Sequence, residues 1–400
     1  MIYLLILFTI LFFLYLSEIK GEKSWRIPGS YIIWILFVLV AGLRYRVGGD
    51  SLYYQDIYPS FPLFKDLRNY GLYENGYGPL WYLFCATTKA IDTRFFIMQI
   101  IHALIINTAM VFFFNKYSRH LLACLLLYYV FYFLYFNMEI LRESLAISVF
   151  LFNMKNLIDK KWIRYTAGCV LSLGFHLSAV VLFFLPFLMM TLQKKYIKVS
   201  LTILFITIIG LFYILQNKTD SLTFLPGILL IKMHSYGTRE MNNLNGIINN
   251  SMPFICYLLI YLVHGRLIRK GSEQSGENRQ DLLFKVFLLF AFLGGFNEGI
   301  FRFTNYLTPL AITYSVNVIY DVTREKRKQL GIVVSCLGLF ILFAHKSLYY
   351  YKDTSGLADH TRRYELWYPY ESVFTNKEHY GRELIFYNAT QNLIDLRNKK

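Results

Sequence analysis

Residues 95–114 read FFIMQIIHALIINTAMVFFF. No charged side chain interrupts this run, and its length matches the roughly 20 residues that an α-helix needs to cross a bilayer. A second long apolar run covers Ile197–Leu215. The 400-residue chain is 56% hydrophobic and has a mean hydropathy of +0.40, too apolar for an ordinary soluble domain. Inside lipid every backbone polar group must find a partner within the protein, so only helices and closed barrels cross. The apolar runs do not alternate as barrel strands do. The expected fold is therefore all-α: a polytopic integral membrane protein with about 12 transmembrane helices plus a re-entrant or interfacial helix.

The candidate spans lie near 1–16, 27–43, 94–114, 120–136, 142–158, 162–175, 177–190, 197–215, 246–264, 281–296, 300–320 and 331–348. The first begins at Met1 with neither a basic leader nor a small-residue cleavage site, and reads as a retained span. Segment 77–91 is short, opens on Gly76-Tyr77-Gly78-Pro79, and contains Thr87, Thr88 and Lys89. Basic loops decide its treatment. Lys20, Lys23 and Arg26 lie in the first, Lys116 and Arg119 in the next, then Lys155, Lys160, Lys161 and Arg164. Lys194, Lys195 and Lys198 follow, then Arg266, Arg269, Lys270 and Arg279, and finally Arg324, Lys326, Arg327 and Lys328. All of these loops fall on the cytoplasmic side only if 77–91 does not cross. The expected organisation is a helical bundle over 1–350 with external loops 44–76 and 216–245. A small external C-terminal tail or cap then occupies 351–400.

The net charge of +16 sits mostly in those short loops, the positive-inside pattern of a membrane protein rather than a nucleic-acid footprint. Cys85, Cys124, Cys169, Cys256 and Cys336 lie in or beside apolar segments without CxxC spacing, and read as small hydrophobes.

The functional signal is a set of charges stranded at span ends, where each costs several kcal/mol unless it faces protein or a wet cavity, roughly 2.5 to 3.5 on insertion scales. Arg44, Arg46 and Asp50 leave a span beside Gly48-Gly49, with Tyr53 and Tyr54 close behind. Arginine forks suit phosphate oxygens, and tyrosine faces suit sugars. Snorkelling anchors would have the same composition, but on the external side two arginines run against the charge bias. Glu139, Arg142 and Glu143 share one helical face. They form either an anion site with a carboxylate base or a structural ion pair. His176 lies between two apolar segments; it is a candidate proton carrier, although a lone histidine at a helix junction is more often a structural hydrogen-bonder. Glu298 and Arg302 sit four apart at another helix end. Glu74, in a loop, is a weaker candidate for holding sugar. Walker, Rossmann and HExxH motifs are absent from the sequence, as is a DxD-type pair in an external loop. The expected chemistry therefore uses a preactivated substrate with neither cofactor nor metal.

Several stretches in order resemble the EpsG family of bacterial exopolysaccharide polymerases, akin to O-antigen polymerases of the Wzy type. They are GLRYRVGGDSLYYQDIY at 42–58, ENGYGPLW at 74–81, NMEILRESLAIS at 137–148, FHLSAVVLFFLP at 175–186, FRFTNYLTP at 301–309 and WYPYESVF at 367–374. Glu143 stands where a glutamine is common in the family. The resemblance implies a glycosyltransferase of polysaccharide biosynthesis, as for exopolysaccharide or capsule, in the bacterial inner membrane with its active site on the periplasmic or exterior face. The growing glycan would pass from undecaprenyl diphosphate to a terminal sugar hydroxyl of a lipid-linked repeat unit. Implied partners are that lipid-linked oligosaccharide, membrane lipid, a flippase and a chain-length regulator, with no nucleic acid. On this reading Arg44, Arg46, Arg142 and Arg302 hold the diphosphate. Glu139, Glu298 and His176 are candidate bases, and Asp50, Tyr53, Tyr54 and Glu74 hold sugar. A flippase for the same lipid-linked oligosaccharide, a membrane acyltransferase and an inactive export scaffold are the alternatives.

Overall fold

The computed structural model describes residues 1–70, 76–192, 244–263, 279–296, 298–324 and 329–398. Loop residues 216–243, Glu74 and the side chain of Glu298 lie outside the described residues. Among the described residues the chain forms helices, short 3-10 and π turns and isolated bridges, and no strand. The helices are α1 (Ile2–Leu14), α2 (Arg26–Gly42), α3 (Gly49–Ile57), α4 (Pro79–Ile91) and α5 (Phe95–Tyr117). Next come α6 (Leu121–Phe131), α7 (Leu141–Ile158), α8 (Trp162–Phe175) and α9 (Val181–Thr191). Then follow α10 (Leu244–Val263), α11 (Arg279–Gly294), α12 (Glu298–Arg324), α13 (Gln329–Tyr350) and α14 (Tyr380–Asn398).

Four described helical segments are long and apolar enough to cross a membrane: Ile2–Ile19, Lys23–Gly42, Phe95–Tyr117 and Gly331–Tyr350. Shorter apolar helices cover Leu121–Phe131, Leu177–Thr191 and Ser251–Val263. The surface agrees with a lipid setting. Phe8, Phe12, Ile35, Phe112, Phe184, Phe187, Phe340 and Phe343 are exposed, whereas Gln99, His102, Asn107, Asn137, Ser144 and Ser148 are buried. In water so much outward apolar surface would be an aggregation liability; in a bilayer it is the lipid-facing side. The interior polar groups bond to one another, as where Asn107 Nδ2 donates to Asn137 Oδ1 at 2.8 Å and Asn137 Nδ2 to Tyr128 Oη at 2.9 Å.

Pairings at the helix ends divide the bundle into two poles. At one pole Arg26 donates to Asn115 and to the Ser118 carbonyl, Glu18 meets His120, and Arg119 meets Asp321. This is the basic pole. At the other, Tyr3 donates to the Trp367 carbonyl and Tyr370 to the Val40 carbonyl. The α2–α5 contact runs between the poles. A Cβ on Gly42 would come within 2.9 Å of the Ile100 Cα, so only glycine permits this closeness.

Helix α4 stays at the second pole. Its start touches α8, since a Cβ on Gly78 would strike the Gly174 carbonyl. Near its end Thr88 bonds Tyr58 at 2.8 Å, and Lys89 donates to the carbonyls of Pro59 and Phe61. Its start thus packs on the end of α8 and its end on the turn near Pro59 and Phe61. At about 1.5 Å per residue its 13 residues reach only ~20 Å.

The tail closes over the same pole. The Tyr45 N–H donates to the Glu371 carbonyl at 2.9 Å and the Val373 N–H to the Leu43 carbonyl at 2.9 Å, around an antiparallel bridge between Arg44 and Ser372. The Gly48 N–H donates to the Leu366 carbonyl at 2.8 Å. Gly48 has φ +93°, a conformation that glycine adopts without steric penalty.

Candidate functional site

The Gly48 turn leads into α3, and its next amide defines the site. The Gly49 N–H donates to Glu139 Oε1 at 2.8 Å. Glu139 ends a π turn, Tyr135–Glu139, that follows α6; π turns of this kind are frequent at functional sites. Glu139 lines a cavity of about 420 Å³. Arg302 and Asn305 of α12, His345, Lys346, Tyr349 and Tyr350 of α13, and Arg363 and Trp367 of the tail share the lining. Tyr132 and Tyr135 form one wall, and Pro253, Phe287, Ala291 and Phe301 supply an apolar side. This size suits a ligand rather than a single water.

Two carboxylates face these cations. Asp50 reaches solvent at the start of α3 yet has protein on most sides, and it is not part of the cavity lining. Burial pushes its carboxyl up to about 6, while Arg142 and Arg302 pull it down. Burial raises Glu139 well above the ordinary carboxylate range, with the Asp50 charge adding to it and the Gly49 amide opposing it. The two carboxyls are therefore electrostatically linked.

Arg142 donates to the Gly76 carbonyl at 2.8 Å and stacks on the Tyr77 ring at 4.7 Å and the Tyr54 ring at 5.9 Å. Tyr54 is a buried platform against Trp81; Tyr53 is partly exposed and bonds Tyr77 at 3.1 Å. Arg302 Nη1 lies 3.8 Å from Glu143 Oε2, and Asn305 donates to Glu143 Oε1 at 2.9 Å. Glu143 is buried and orients these two α12 side chains.

Other expected site residues have different surroundings. The Arg44 guanidinium is wholly buried, donating to Ser51 Oγ at 2.7 and 3.1 Å and to the Ala41 carbonyl. Arg46 is clamped by Glu383 at 2.5 Å, by Asp56 at 2.8 Å and by Tyr387 at 3.0 Å, which holds it firmly charged. A diphosphate-binding role for Arg44 and Arg46 does not fit these surroundings; both tie loop 43–50 into place. His176 does not line the cavity. Its Nδ1 accepts from the Ser178 N–H at 3.3 Å and lies 2.6 Å from Ser178 Oγ, which in turn meets Tyr306 Oη at 2.9 Å. That capping arrangement accounts for a histidine at the break between α8 and α9.

Lys346 and Arg363 were not anticipated. Lys346 lies in a stretch that reads as an apolar span, and a lysine there was itself the available signal. Arg363, in the tail, has no local signature. It stacks on Tyr349 at 4.0 Å and donates to the tyrosine hydroxyl. Arg382 was also missed: it donates to the carbonyls of Glu365, Arg46 and Pro369, joining tail and loop.

Among the described residues no cluster of His, Cys, Asp and Glu suited to a metal ion occurs. No curated protein and no solved structure matches the chain. The EpsG family model matches residues 29–372, a stretch that includes α3, the Glu139 turn, α12, α13 and the tail as far as Ser372. The chain therefore belongs to the EpsG family, which marks it as a membrane protein of polysaccharide biosynthesis.

Proposed function

We propose that this protein is a polysaccharide polymerase that moves a growing glycan from a polyprenyl diphosphate to a sugar hydroxyl of a lipid-linked repeat unit. The observation that carries this reading is the cavity lined by Glu139, Arg302 and Arg363, with Asp50 and Arg142 in electrostatic reach of it, at the pole opposite Arg26 and Arg119. The positive-inside bias would make that pole the exterior or periplasmic one.

The acceptor hydroxyl gives its proton to the Asp50–Glu139 pair. Its oxygen forms a bond to the anomeric carbon as the bond from that carbon to the diphosphate oxygen breaks. The bonding electrons leave with the diphosphate, and fixed guanidinium groups stabilise the charge that develops there. On this reading Arg302, oriented by Glu143 and Asn305, and Arg142, stacked on Tyr54 and Tyr77, supply that charge. Tyr53, Tyr135 and Tyr349 offer ring faces and hydroxyls to sugars.

The test follows lipid-linked glycan in cells carrying Arg302→Ala at normal protein level. The expected result is single repeat units held on the outer face, with long chains lost. Removing a fixed donor for the developing charge should slow transfer on the order of 100-fold or more. Unchanged chain length would refute the assignment, and units trapped on the cytoplasmic face would point to a flippase.

A further inference from the structure

Two cations in the cavity share a depth. Arg302 lies four residues into α12 from its start at Glu298, and Lys346 four residues before the end of α13 at Tyr350. Both helix ends belong to the cavity pole, so each cation sits about 6 Å below it, at 1.5 Å per residue. Tyr135, four residues before Glu139, is one turn below that carboxylate and beside Lys346. The cavity is therefore layered: Arg302 and Lys346 lie on the membrane side, with Glu139 and Arg363 above them.

The environment of Lys346 is unusual. Its ammonium lies 5.1 Å from the Tyr132 ring centroid, 5.8 Å from Tyr135 and 6.0 Å from Tyr349. Among the described residues no carboxylate lies within ion-pair distance of it. Ring faces stabilise an ammonium only weakly, less than a desolvated charge needs. Arg302, in contrast, already has Glu143. The unmet positive charge lies beside the apolar side of Pro253, Phe287 and Ala291, which suits a ligand with an anionic head and a hydrocarbon tail.

We propose that Lys346 and Arg302 together form the diphosphate subsite, with Lys346 taking the phosphate that distinguishes a lipid diphosphate from a lipid monophosphate. This rests on the polymerase reading and adds to it a residue and a head-group preference. The isoprenoid chain then leaves along Phe287 and Ala291, and the sugar faces upward to Glu139. Discrimination between diphosphate donor and monophosphate follows from one additional charge-assisted contact.

The experiment measures binding of undecaprenyl diphosphate and undecaprenyl monophosphate to the full-length protein in nanodiscs, read by tryptophan fluorescence, since Trp367 lines the cavity. Wild type, Lys346→Met, Lys346→Arg and Arg302→Ala are compared. Wild type should prefer the diphosphate about 10- to 100-fold, the worth of one contact to a charged group. Lys346→Met should lose that preference to within about 3-fold, and Lys346→Arg should restore it. Retention of the full preference by Lys346→Met, with Arg302→Ala still impaired, would overturn the assignment of Lys346 and leave the polymerase reading standing. Failure of wild type to prefer the diphosphate would overturn the subsite and the lipid-diphosphate reading together.

Discussion

Glu383→Gln tests how the tail holds the site. Glu383 accepts two hydrogen bonds from Arg46, each at 2.5 Å, and the side chains are only 10% and 15% exposed. An exposed ion pair contributes about 0 to 1 kcal/mol, but a bidentate, mostly buried one behaves as hydrogen bonds to a charge, about 1.5 to 3 kcal/mol. Asp56 and Tyr387 remain on Arg46 in the variant, which limits the loss to about 2 kcal/mol, or ~30-fold in a local opening equilibrium. The reporters are the amides of Tyr45, Gly48 and Val373, which bond across the loop–tail junction. Hydrogen exchange in nanodiscs should show these amides opening ~30-fold more often. Lys161→Gln, which removes an exposed contact to Asp159, should leave them unchanged. A change under about 3-fold for Glu383→Gln would refute the argument that this clamp secures the loop.

Two further outcomes follow from the site and the packing. Asp50 and Glu139 are both raised above their usual range, so the pair must lose a proton before it can accept one. Transfer should fall as pH drops through about 6, the value to which Asp50 is pushed. Stability has the opposite sign: a raised carboxyl binds its proton more tightly when folded, so its contribution is present at low pH and lost as pH rises. Asp50→Asn should therefore leave the fold at least as stable at pH 8 while flattening the acid limb of the activity profile; an unaltered limb would remove Asp50 from the proton-accepting pair. Gly42→Ala places a Cβ 2.9 Å from the Ile100 backbone, an overpacking that should cost about 1 to 3 kcal/mol. Size-exclusion recovery after mild heating should drop, and wild-type recovery would mean that α2 can shift away from α5.

The sequence by itself determined that the chain is helical and lives in a membrane, because a run such as 95–114 leaves the backbone no other solution in lipid. It also singled out Glu139, Arg142 and Arg302 as candidates, because a charge at a span end is costly enough to stand out without knowledge of its neighbours. The expectation that 77–91 does not cross comes from loop charge alone. Roles depended on partners hundreds of residues away. Arg44 and Arg302 look alike as span-end arginines. One is sealed under Ser51 and Ala41, whereas the other points into a cavity because Glu143 and Asn305 hold it there. Arg46 became structural only when Glu383 folded back across 337 positions of chain. In isolation His176 leaves a proton carrier and a structural hydrogen-bonder both open; Ser178 on its Nδ1 shows it capping the break. Hydropathy and spacing register what a side chain costs in lipid; which group compensates that cost is set by the tertiary fold, and that compensation separates a binding residue from a structural one.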